Sequence, residues 1–119
     1  MSEPRDARLQ TKQITPELIS YAVDKIVRGV APQRIILFGS RARGEETIES
    51  DLDLFVIQDG QASNRQVRRE IERLLWGCHF GVDLIVRKPE EVARNVANGN
   101  PFYTRHLLQE GRVIYERPV

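Results

Sequence analysis

Ile35-Ile36-Leu37-Phe38-Gly39-Ser40-Arg41-Ala42-Arg43-Gly44, followed after a polar stretch by Ser50-Asp51-Leu52-Asp53-Leu54-Phe55-Val56-Ile57, decides the reading of this chain. Two short apolar runs of strand composition enclose a glycine-rich turn, and the second run opens with two carboxylates. Side chains alternate along a strand, so Asp51 and Asp53 share one face while Leu52 and Leu54 take the other. Carboxylates held together repel unless positive charge sits between them, and an all-oxygen set of this kind suits Mg²⁺ or Mn²⁺. Gly39 and Gly44 would admit close backbone approach to a polyphosphate, and Ser40 adds a hydroxyl where a short helix through Arg41 to Arg43 begins. Each motif alone also reads as a plain turn or a solvated strand end. Metal-dependent handling of a nucleoside triphosphate needs both together.

Working outward, Thr15-Pro16-Glu17 carries an N-cap, a proline at the first helical position and an acid in the first turn. The helix it opens is predicted to run to about Arg28, burying Leu18, Ile19, Ala22, Val23, Ile26 and Val27, with Gly29 ending it. Residues 1–14 are polar, without a sustained period, and read as a flexible leader or a short lead-in helix to a domain spanning 15–119. Arg34 to Phe38 is apolar enough to be a central strand covered on both faces. Beyond Asp59-Gly60, the spacing of Val67, Ile71, Leu74 and Leu75 predicts an amphipathic helix from about Ser63 to Trp76, with Arg68, Arg69 and Arg73 either a solvated face or a positive patch for a partner or nucleic acid. Val82 to Val86 is predicted to be a third strand. Asp83 within it would be costly to bury unpaired, so it calls for a cation or an open cleft. Pro89 opens a helix closed by Gly99, and Asn100-Pro101 opens another over Phe102 to Glu110, before a short strand or extended tail at Val113 to Tyr115. His106 reads as a surface or partner-facing residue, and Tyr103 and Tyr115 as packing aromatics.

The 119 residues fit one domain. Lys and Arg total 18 against 17 Asp and Glu, a balance of +1 that makes no case for a nucleic-acid or membrane partner. A single cysteine, Cys78, excludes an internal disulfide and suits a reducing compartment; with no long apolar run and no secretory signal, a cytoplasmic protein is expected.

Gly39-Ser40-Arg41-Ala42-Arg43-Gly44 followed by Ser50-Asp51-Leu52-Asp53-Leu54 resembles the signature of the nucleotidyltransferase superfamily related to DNA polymerase beta, and within it the minimal, single-domain MNT type. Gly81-Val82-Asp83-Leu84-Ile85-Val86 resembles the later strand on which members of the family carry a third carboxylate, and the stretch from Tyr103 to Tyr115 resembles the end of the domain. The resemblance implies an α/β fold, a small mixed sheet with helices packed mainly on one side. It implies Asp51, Asp53 and Asp83 as catalytic, metal-holding carboxylates and Gly39 and Ser40 as the phosphate-binding turn. Arg41 and Arg43 are either further phosphate contacts or partners of Glu45 and Glu46. It further implies Mg²⁺, ATP as co-substrate, and the antitoxin role of two-gene pairs, in which AMP passes to a tyrosine of a helical HEPN-type toxin ribonuclease. Two alternatives stay open: an antitoxin acting by contact alone, and a small-molecule nucleotidyltransferase working with a separate helical subunit. Homo- or hetero-oligomerisation is unread in the sequence.

Overall fold

A computed structural model describes residues 6–119. Its four strands, β1 (Arg34–Phe38), β2 (Leu52–Ile57), β3 (Val82–Arg87) and β4 (Arg112–Glu116), form one sheet in the order β3-β2-β1-β4. β1 runs antiparallel to both β2 and β4, while β2 and β3 are parallel, so the sheet is mixed as expected. Strands β1 and β2 are central, and their apolar runs are buried because helices cover both faces.

On one face, α1 (Pro16–Val30) and α3 (Asn64–Leu74) bury Ala22, Ile26 and Ile71 against Ile35, Leu37, Leu54 and Val56, the larger of two cores. On the other, α4 (Pro89–Ala97) and a closing helix, Phe102–Gln109, cover Ile36, Phe38, Phe55 and Ile57. The heavier packing thus lies on the α1/α3 side, with a thinner layer opposite. α1 starts as its sequence dictates, with the Thr15 hydroxyl accepting from the Leu18 amide at 3.1 Å. It does not stop at Gly29. It continues to Val30 and ends at Ala31, which takes a left-handed φ of 45°. Gly29 serves a contact instead: a β-carbon there would lie 2.4 Å from Leu74 Cδ1, so the missing side chain lets α1 and α3 close. α3 carries a capping box between Ser63 and Gln66.

Of residues 1–14, residues 1–5 lie outside the described residues, and the rest contains a short helical turn, in keeping with the lead-in helix. Ala7–Leu9 forms a 3₁₀ turn whose Leu9 is fully buried in the main core. Asp6 accepts from the Tyr21 hydroxyl at 2.5 Å and from Lys25 Nζ at 2.8 Å, and the Arg8 guanidinium lies 4.2 Å from the Tyr21 ring centroid. Among the described residues no helix is long and apolar enough to cross a membrane.

Candidate functional site

Strand register brings the carboxylates together. β2 and β3 align Asp53 with Asp83, and β1 and β2 align Phe38 with Asp53, so Asp83, Asp53 and Phe38 form one row across three strands. This row lies on the α4 face, because its neighbours of the same parity, Ile36, Phe55 and Ile57, pack there. It sits at the end of the sheet where β1 passes into the Gly39 turn and β2 begins. Asp51, just ahead of β2, is exposed, as is Asp83, while Asp53 is half-buried between them.

Two glycines make the room these acids occupy. A β-carbon on Gly39 would fall 2.1 Å from Asp53 Oδ2, and one on Gly81 would fall 2.0 Å from Asp51 Oδ1. Asp53 therefore lies over the Gly39 turn and Asp51 over the start of β3, and the two carboxylates splay. Consistent with that splay, no group of three or more His, Cys, Asp or Glu among the described residues closes into a formed metal cage. Their charges still reach one another. Burial raises the Asp53 pKa, the carboxylates of Asp83 and Asp51 raise it further, and the guanidiniums of Arg41 and Arg43 oppose the rise. A partly buried acid with two like-charged neighbours is a place where a cation is favoured, so this set fits a divalent ion.

Gly39 takes φ 75° and ψ −157°, a region reserved for glycine, and hands the chain directly to Ser40, the first residue of the short helix α2 (Ser40–Arg43). A β-carbon on Gly44 would meet open space; its left-handed φ of 72° closes α2, its amide donating to the Ser40 carbonyl. Arg41 Nη2 donates to the Ser50 carbonyl at 2.9 Å, pinning the approach to the acidic strand, and Arg41 Nε is buried without a hydrogen-bond partner. That donor, one residue from Ser40, is chemically suited to an anion. Arg43 pairs with Glu45 at 2.9 Å and with Glu110 at 3.6 Å, so of its two expected roles the structure displays the ion pair.

A family model described as "Polymerase beta, Nucleotidyltransferase" matches residues 22–118, which include the Gly39 turn and all three carboxylates. The chain belongs to the polymerase beta nucleotidyltransferase family. It is 35% identical over 83 residues to a "putative protein adenylyltransferase" of Methanocaldococcus jannaschii, a match covering 70% of this chain and 78% of that protein. It is also 33% identical over 100 residues to the bifunctional uridylyltransferase/uridylyl-removing enzyme of Methylococcus capsulatus, covering 82% of this chain but only 11% of that protein. A solved structure of a "putative nucleotidyltransferase" from Sulfolobus solfataricus superposes with a TM-score of 0.49 at 19% identity, covering 81% of this chain and 87% of that one.

Within this nucleotidyltransferase fold, two features of the site went unassigned in the sequence. Gly81 stands in the sequence only as the first residue of the stretch that resembles the third-carboxylate strand, although a glycine two residues ahead of an acid is the available signal that a neighbouring side chain lies over it. Glu110 joins the closing helix to α2, facing Arg43 and, at 3.6 Å, His106 Nδ1. The His106 contact follows the i,i+4 spacing of a helix, but nothing in the local pattern around Glu110 signals the contact with Arg43.

Proposed function

We propose that this nucleotidyltransferase moves AMP from ATP to a tyrosine hydroxyl of a HEPN-type toxin ribonuclease, acting in the cytoplasm as its antitoxin. The observation that carries the transfer chemistry is the register that puts Asp53 beside Asp83, with Asp51 on the same face and the Gly39-Ser40 turn against Asp53. The likeness to a protein named as an adenylyltransferase supports AMP and a protein acceptor.

Asp51 and Asp53 would hold Mg²⁺, or Mn²⁺, with Asp83 beside them; such an ion, when bound, offsets the charge of the triphosphate and of the transition state. Gly39 and Ser40 would seat the β- and γ-phosphates, and Arg41 Nε offers its unused donor to a phosphate oxygen. Asp83, exposed at the end of the row, takes the proton of the acceptor hydroxyl. The hydroxyl oxygen then bonds to the α-phosphorus, the bond from that phosphorus to the bridging oxygen breaks, and pyrophosphate departs.

The test is the intact mass of a co-purified or genomically adjacent helical protein after incubation with this chain, Mg²⁺ and each ribonucleoside triphosphate in turn. An AMP adduct that disappears with the Asp51→Asn, Asp53→Asn double variant is expected. Neutralisation of the partner by the double variant, without an adduct in either case, would replace this reading with inhibition by contact.

A further inference from the structure

The closing helix is a π-helix. Over Phe102–Gln109 it runs with the wider turn, and the Glu110 amide donates to the Arg105 carbonyl five residues back at 3.0 Å. Stretches of this kind concentrate at functional sites because the wider turn redirects side chains. Here it lies against the acid row. Phe102 meets Phe38, the residue aligned with Asp53, edge to face at 5.6 Å, and meets Phe55 at 6.2 Å. The imidazole of His106 lies 6.4 Å from the Phe102 ring, tilted 39° to it, with its side chain 49% exposed. Glu110 fixes this end of the helix to α2 through Arg43.

The consequence is a partly exposed ring pair beside the row that would hold the metal ion. Adjacent strands stand about 5 Å apart, so Phe102 lies on the order of 10 Å from Asp53 across Phe38, within the reach of a ribose and its base. Resting on the nucleotide reading of the acid row, we infer that Phe102 and His106 form the surface on which the base of the bound nucleoside triphosphate stacks. Rings hold any base by its π face, so the pair supplies affinity for the base without reading its edge. His106, which the sequence alone marks as a surface or partner-facing residue, thereby belongs to the substrate site.

Binding of Mg²⁺-ATP and of Mg²⁺-tripolyphosphate, which has the phosphates but no base, tests this by calorimetry on the full chain. Phe102→Leu, which keeps apolar bulk and removes the ring, and His106→Ala, at an exposed position, are each expected to weaken ATP about tenfold while leaving tripolyphosphate within about twofold. Thermal melting of each variant verifies the fold. ATP affinity unchanged in both variants, or an equal loss for both ligands, overturns the inference while leaving the phosphate site standing. A wild-type chain that binds neither ligand overturns the nucleotide reading of the acid row and this inference with it.

Discussion

Asp6 and Asp53 are both carboxylates drawn partly out of water, and their pKa values are displaced in opposite directions. Burial acts to raise each. At Asp6 it is outweighed by hydrogen bonds from Lys25, Tyr21 and the Arg8 amide, and the pKa falls below the ordinary value. At Asp53 the nearby carboxylates of Asp83 and Asp51 add to burial, and the pKa rises in spite of Arg41 and Arg43. The first arrangement is complete in itself: donors, a cation and an anion, which fasten the lead-in segment to α1. The second leaves like charges facing one another, an arrangement that costs stability and that, in the proposed reaction, a cation and a polyphosphate would put to use.

Substitutions on the two sides of this contrast should separate cleanly, and the largest effect is expected at the acid row. Asp51→Asn or Asp53→Asn should lower nucleotidyl transfer by about 10³-fold or more, read from initial rates, with the fold intact. Next comes Gly39→Ala, which forces a side chain into a glycine-only conformation and into Asp53. It should cost about 2 kcal/mol by denaturant titration as well as activity. Asp6→Ala should cost about 1.5 kcal/mol by removing the partner of Lys25 and Tyr21, with transfer per folded molecule unchanged. Gly81→Ala meets only the flexible tip of Asp51, so it should leave stability nearly untouched and lower transfer about tenfold by displacing that carboxylate.

The smallest effect has a definite sign. A carboxylate with a raised folded pKa stabilises the fold only in acid, and that contribution is lost as pH rises through the folded pKa. Asp53→Asn should therefore raise the melting temperature slightly at neutral pH, and the gain should vanish below the ordinary carboxyl value of 3.8. Asp6 behaves in reverse. Its contribution is present above 3.8 and is lost as pH falls through its lowered folded pKa, so the destabilisation by Asp6→Ala should fade in acid. Melting curves of both variants across pH give the two slopes side by side.

The same contrast explains what could be read in the sequence. The first three strands, the Gly39 turn and the parity of Asp51 and Asp53 were legible because they rest on local signals: alternation, glycine and short apolar runs. The anchoring of Asp6 was not. Its partners Tyr21 and Lys25 are 15 and 19 residues away, and no local pattern announces a hydrogen bond across that gap. Gly29 misled for a related reason: a glycine near the end of a helix ordinarily stops it, but here Leu74 of another helix uses the space. The π-helix was legible as a helix over Phe102 to Glu110 but not as a wide one, since its apolar residues do not separate the two windings over so short a stretch. At the site, the carboxylates came from the pattern, whereas the two glycine notches and the tie from Arg43 to Glu110 came from strand order and packing.

The most direct test of the central claim, that the acid row is a charged site held ready for a metal-bound nucleotide, is thermal melting with and without Mg²⁺-ATP. It compares the wild-type chain with the Asp51→Asn, Asp53→Asn double variant. The predicted result is a melting temperature that rises with Mg²⁺-ATP in the wild type and does not move in the double variant. An equal rise in both would contradict the account, because the nucleotide would then be held without the carboxylates that the fold brings together.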